Sequence, residues 1–221
     1  MNRFSNSDGF RIVDRMIQNI QQNKQYLSDI DGEIGDGDHG INMNKGFTLA
    51  QMELEKNPGN LSHRFLVIAR VLSMKIGGAM GPIYGKIFKA MGNSIAGKEY
   101  LTAIDVGRML NSALDELGEI SNATKGDKTL IDSLAPAAEE YNKSLEKGST
   151  FPEALNKMKS AAIQGRDSTR EMISRVGRSS RIGERSRGVI DAGAASCCII
   201  LCTLADTALE LLGEDSVSVN N

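Results

Sequence analysis

Four carboxylates fall within eight residues of this chain, Asp31, Glu33, Asp36 and Asp38, interleaved with glycines and followed by His39 and Asn42. Like charges packed this closely repel one another unless a cation stands among them. A solvated acidic turn that caps the next helix is the bland alternative. An EF-hand does not fit, because Gly40 takes the third of its alternating ligand positions and the spacing to an acidic twelfth residue is wrong. Zinc does not fit a loop with one histidine and no nearby cysteine. All-oxygen ligands on a glycine-rich loop suit magnesium, which keeps waters and is completed by substrate phosphates. The loop therefore reads as a site for a metal–nucleotide.

Two neighbouring motif matches fail on context. Gly35-Asp-Gly-Asp-His-Gly40 satisfies the dinucleotide fingerprint, but no strand signal precedes it and its aspartates would repel a bare pyrophosphate. Gly92-Asn-Ser-Ile-Ala-Gly-Lys98 resembles a P-loop, but Glu99 stands where the magnesium-binding hydroxyl belongs, and a helix rather than a strand precedes it. A second charged feature is a basic run, with Arg166, Arg170, Arg175, Arg178, Arg181, Arg185 and Arg187 in 22 residues. Arg166 and Arg170 read as a solvated helix face with i,i+4 pairing. An RNA-binding strip would need interleaved aromatics, and the run has none.

The elements that must position these residues read as helices. Phe10, Val13, Ile17 and Ile20 recur at helical spacing behind N-caps at Ser7 or Asp8, as do Met43, Phe47, Ala50 and Leu54, and then Leu61, Phe65, Ile68 and Leu72. Further helices are expected near 82–97, 102–122, 128–147, 152–175 and 190–213, with Pro82 and Pro152 in first turns. Hairpin signals are lacking. The expectation is an all-α chain of about eight helices forming one domain over 1–221. The 26 basic and 28 acidic residues give a net charge of −2, which offers no general attraction to nucleic acid or anionic lipid. No uninterrupted apolar stretch is long enough to span a membrane, and the N-terminus carries no secretory pattern. Cys197, Cys198 and Cys202 lie in an apolar run and read as buried, reduced thiols of a cytoplasmic protein.

Asp31-Gly-Glu-Ile-Gly-Asp-Gly-Asp-His-Gly-Ile-Asn-Met-Asn-Lys-Gly-Phe47 resembles the nucleotide-binding loop of the L subunit of dihydroxyacetone kinases. Three further blocks agree in order: Gly77-Gly-Ala-Met-Gly-Pro-Ile-Tyr-Gly85, Gly126-Asp-Lys-Thr-Leu-Ile-Asp132, and Gly177-Arg-Ser-Ser-Arg-Ile-Gly-Glu-Arg-Ser186. The resemblance implies an antiparallel barrel of eight helices with ADP or ATP at one end, held through two magnesium ions by Asp31, Asp36 and Asp38. It implies that His39, Gly40, Ile41 and Asn42 wrap the phosphates at a helix N-terminus. Gly78, Ala79 and Met80 would line the nucleotide, although a close helix contact would also use small residues there. Gly126 and Leu130 would lie near the nucleotide, with Asp127 or Thr129 also placed to cap the next helix. Arg178 would meet the transferring phosphoryl group, and Asp191, Ala192 and Gly193 would lie near the nucleotide.

The chain departs from the family pattern at Met80, where a serine is usual, and at Gly188-Val-Ile-Asp-Ala-Gly-Ala194, where the usual run is Gly-His-Gln-Asp-Pro-Gly-Ala. The implied reaction is phosphoryl transfer to dihydroxyacetone or a related keto-sugar held by a separate K subunit. The donor is ATP, or bound ADP recharged by a phosphotransferase-system protein. A homodimer stays open. The competing class is a non-catalytic ADP-binding paralogue that regulates a docking partner; the three aspartates and Arg178 favour the kinase.

Overall fold

The computed structural model describes residues 3–218, so the expected span 1–221 runs past the described residues at both ends. Among these, nine α-helices account for most of the chain: α1 (Phe10–Gln22), α2 (Lys24–Ile34), α3 (His39–Lys56), α4 (Leu61–Lys75), α5 (Met80–Ser94), α6 (Ala103–Ile120), α7 (Ile131–Glu146), α8 (Phe151–Ser168) and α9 (Ala192–Ser218). Two three-residue strands, β1 (Arg3–Ser5) and β2 (Tyr100–Thr102), pair antiparallel, a small addition to an otherwise all-α fold. They lie far apart in sequence, so no local hairpin signal exists to find.

α1 and α2 form one bent helix. Backbone bonds run through Asn23, from Asn23 N to the Asn19 carbonyl and from Leu27 N to the Asn23 carbonyl. The Asn23 amide also donates to the Asn19 carbonyl at 2.8 Å. A side chain inserted into the ladder in this way bends a helix. Counting α1–α2 once leaves eight members. Each packs on its successor, and α9 packs back on α1 and α2, closing an antiparallel ring. Their apolar faces meet in one core, in which Phe88 lies between Phe47 and Phe65.

Several expected boundaries move. α1 is preceded by Gly9 without a side-chain cap, and Ser7 and Asp8 contribute only backbone carbonyls, to Phe10 N and Arg11 N. The helix expected over 152–175 ends at Ser168 and passes into a 3-10 turn, Thr169–Glu171, and then a segment without α-helix that carries a kinked 3-10 helix, Ser179–Ser186. α7 contains Pro136, whose missing N–H leaves the Asp132 carbonyl free; Gly165 of α8 lies against that carbonyl. Within α9, Ala192–Glu214 is long and apolar enough to cross a membrane by composition, but 72% of its most apolar stretch is buried inside the protein, and its apolarity serves the core. Cys197 and Cys198 are buried, Cys202 is half-buried, and all three are free thiols.

Alternation of direction places the starts of α3, α5, α7 and α9 at one end of the ring, beside the ends of α2 and α6. The cleft of interest lies there. At the other end β1 and β2 meet the starts of α4, α6 and α8. Asn6, 1% exposed, ties that end together by bonding Ile95, Lys98, Glu99, Leu61 and Ser62.

Candidate functional site

The cleft has a volume of about 380 Å³. One wall is the turn between α2 and α3. Gly37 turns it with φ +73°, a conformation that favours glycine. Gly40 lets α3 approach the Lys24 carbonyl of α2, where any side chain would collide with backbone. This close approach brings Asp31, at the end of α2, next to Asp36 and Asp38. One carboxylate oxygen from each of the three lies within 4.8 Å of the others. The donor set is all oxygen and triply acidic, which fits a hard divalent cation such as magnesium.

Arg178 supplies the balancing charge. Its Nη1 contacts Asp36 and stands 3.7 Å from an Asp38 oxygen. Arg178 belongs to the irregular segment between α8 and α9, so the acidic loop and the basic loop, far apart in sequence, face each other across the cleft mouth.

Behind the carboxylates, His39 Nε2 lies 2.8 Å from Ser196 Oγ, which in turn lies 2.6 Å from the Tyr84 hydroxyl; the Gly193 carbonyl lies 3.1 Å from both hydroxyls. Burial pushes the His39 pKa down to about 4 against the pull of Asp31, so the ring is neutral near pH 7. Asp191 is pushed up to about 7, chiefly by burial; the Ala194 N–H bond and the charge of Lys128 oppose the rise.

Most of the expected residues meet here. Asp31, Asp36, Asp38, His39, Asn42, Gly78, Ala79, Met80, Leu130, Arg178, Asp191, Ala192 and Gly193 all line the cleft. Three of the sixteen expected positions do not. Gly40 is turned against α2, Ile41 points outward at 52% exposure, and Gly126 lies on a separate groove between α7 and α8. The capping alternative for Asp127 also fails: its carboxylate accepts from Thr124 N, and burial and charge aside, this backbone bond is the main reason its pKa is lowered. Thr129 Oγ1 does accept from Ile131 N at 3.2 Å. Arg166 pairs with adjacent Asp167, while Arg170 Nη1 donates to the Gly188 carbonyl; neither shows i,i+4 pairing.

Several lining residues escaped the sequence reading. Leu117, Ser121, Ala123 and Val176 carry no pattern that marks them. Tyr84 and Lys128 stood inside quoted blocks, yet nothing in one sequence shows that the Lys128 ammonium is buried.

Residues 33–206 match the family described as the DAK2 domain. The chain is 35% identical over 190 residues to the Lactococcus lactis PTS-dependent dihydroxyacetone kinase, ADP-binding subunit DhaL, covering 86% of this chain and 91% of that one. It is 35% identical over 190 residues to the PEP-dependent dihydroxyacetone kinase, ADP-binding subunit DhaL, of Escherichia coli K12, covering 84% and 89%. The L-erythrulose kinase of Pectobacterium atrosepticum is 30% identical over 208 residues, which are 91% of this chain and 34% of that protein. The crystal structure of the dihydroxyacetone kinase of C. freundii has the same fold, with a TM-score of 0.68 at 24% identity; the match covers 89% of this chain and 33% of that one. On this evidence the chain belongs to the DAK2 domain family, among the L-type chains of the dihydroxyacetone kinases.

Proposed function

We propose that this chain is the nucleotide-binding subunit of a dihydroxyacetone-type kinase, that it binds ADP or ATP with magnesium in the cleft, and that it transfers the terminal phosphoryl group to a small keto-sugar held by a separate K-type subunit. The whole chain, 1–221, serves as one nucleotide-binding domain. The observation that carries the reading is the meeting of Asp31, Asp36 and Asp38 with Arg178 at the end of the ring where helices begin. Two relatives named as ADP-binding subunits of dihydroxyacetone kinases support it, and a related kinase from C. freundii is described in complex with AMP-PNP and Mg2+.

Asp31, Asp36 and Asp38 would hold the magnesium, as two ions. When bound, magnesium neutralises charge on the phosphate oxygens. The chain's own residues do the rest. The start of α3, where His39 and Asn42 line the cleft, presents the positive end of its helix dipole to an anion. Arg178, whose planar fork suits phosphoryl oxygens, leaves Asp36 and Asp38 to meet the transferring group. Ala79, Met80, Leu130, Asp191, Ala192 and Gly193 enclose the nucleotide. Little covalent chemistry is asked of the protein, because positioning and charge neutralisation dominate this reaction class.

The named dependence of two relatives on PTS or PEP favours the branch in which ADP stays bound and is recharged by a phosphotransferase-system protein, in the cytoplasm. A coupled assay over three- and four-carbon ketoses tests the reading. Turnover is expected only when the cognate K-type subunit is added, and retained ADP is expected in native mass spectra. Turnover by this chain alone would overturn the division of labour. An enzyme with both subunits that ignores nucleotide and phosphotransferase donors alike would overturn the kinase.

A further inference from the structure

Arg178 sits on a stretch without α-helix, so something else must hold its guanidinium over Asp36 and Asp38. That stretch leaves the ring at Met172 and returns at Val189. The Lys128 side chain, 1% exposed, lies across its neck. Its Nζ donates to the Met172 carbonyl at 3.3 Å on the outgoing strand, and to the Ser186 and Val189 carbonyls, each at 2.6 Å, on the returning one. An ammonium has three N–H donors, and all three are occupied. Lys128 lines the cleft, where a lysine would ordinarily be read as a phosphate ligand. Here it has no donor left for one.

The backbone around it is built to aim it. Among the described residues Lys128 is the one non-glycine residue with positive φ, at 63°. Asp132 holds that turn by accepting from Gly126 N at 2.5 Å and Thr129 N at 2.7 Å. The same turn braces the outgoing strand through Arg175 N, which donates to the Asp127 carbonyl at 3.2 Å. On the outer side Arg170 and Gly188 exchange hydrogen bonds, so the neck is clasped from both faces.

We propose that Lys128 is a positioning residue for phosphoryl transfer: it closes the neck of the 172–189 loop and thereby sets where Arg178 meets the transferring group. This rests on the function proposed above. In the reconstituted enzyme, Lys128→Met should lower kcat about tenfold or more while the dissociation constant for magnesium–ADP stays within about threefold, a split that a loss of bulk stability would not produce. Amide hydrogen exchange over 174–187 should quicken about tenfold, with the cores of the helices unchanged. Lys128→Met should add less than about twofold on an Arg178→Met background, since the two act through one group. Lys128→Arg, which keeps several N–H donors on a long stem, should restore most of kcat.

Wild-type loop exchange and wild-type kcat in Lys128→Met would overturn the proposal. So would a penalty just as large without Arg178, or a matching loss of nucleotide affinity, which would make Lys128 a ligand. Should Lys128→Met lose helicity by circular dichroism, Lys128→Gln is read by the same arms. If the wild-type chain does not bind magnesium–ADP, the functional reading fails, and the exchange arm still decides whether Lys128 holds the loop.

Discussion

The two ends of the helical ring start their helices differently. At the end closed by β1 and β2, side chains cap every helix start but that of α1. Asn60 caps α4, and Thr102 and Thr150 form capping boxes with Asp105 and Glu153 at the starts of α6 and α8. At the cleft end α3 and α5 begin with no side-chain cap, whereas Thr129 Oγ1 accepts from Ile131 N at the start of α7 and Asp191 caps α9 by accepting from Ala194 N at 2.7 Å. Such a cap stabilises a helix by about 1 kcal/mol, so the starts of α3 and α5, which lack one, mark a place where fold stability yields to another use. Unpaired N–H groups and converging positive dipole ends favour an anion. The carboxylates of the α2–α3 turn would oppose that anion, and a divalent cation reverses their effect. The difference teaches that one end is finished mainly by its own side chains, while the other leaves α3 and α5 open to what it binds.

The largest effect expected on this contrast is at the carboxylates. Asp36→Asn should weaken magnesium–ADP binding by about 100-fold or more, since even residues that merely orient metal ligands cost up to that much. Calorimetric titration measures it, and the metal-free variant should melt no lower than the parent, because one repelling charge is gone. Next is Arg178→Met, expected to lower kcat of the reconstituted enzyme by about 100-fold, in the range seen when a donor to developing charge is removed. Steady-state kinetics checks this, with melting temperature unchanged.

At the other end the signs exchange. Thr102→Ala and Thr150→Ala should each lower unfolding stability by about 0.5–2 kcal/mol, measured by denaturant titration, and leave nucleotide affinity alone. A change in affinity from either would break the contrast.

The smallest effect is in pH dependence, where the ends oppose each other. Folded Asp191 keeps its proton up to about 7, whereas its ordinary value is 3.8. Between about pH 4 and 7 the folded state therefore holds more protons than the unfolded one, and this group's contribution to stability falls as pH rises, then levels off. At the capped end, Asp105 is lowered by Lys98 and Thr102 against the opposing effect of burial, and Glu153 is lowered mainly by the Thr150 N–H. Their contribution is present above the ordinary carboxylate range and is lost as pH falls through their folded values. Thermal melts of Asp191→Asn from pH 4 to 8 should lack the parent's falling component. An identical profile would contradict the burial assigned to Asp191.

Much of this was legible in the sequence, for physical reasons. The helices with regular apolar faces, such as Leu61–Lys75 with Phe65, Ile68 and Leu72, announce themselves by period. The acidic loop announces itself by charge density. α2 is harder to see: its buried residues Leu27, Ile30 and Ile34 keep helical spacing, but they are few, share their run with Gly32 and the acidic loop, and pack on α3 and α9. The loop that carries Arg178 has no apolar period, and the side chain that closes its neck, Lys128, is distant in sequence and hidden from solvent. Ile41 stands inside the expected phosphate block yet faces outward, because a helical start turns each successive residue by a large angle.

The central claim is that the cleft end of the ring is completed by a metal-bridged nucleotide. Calorimetric titration of ADP into the purified chain, with magnesium and then with EDTA, tests it most directly. Saturable one-to-one binding with magnesium, lost or weakened about 100-fold or more in EDTA, is expected from three carboxylates facing phosphate oxygens. Equal affinity in the two conditions would contradict it.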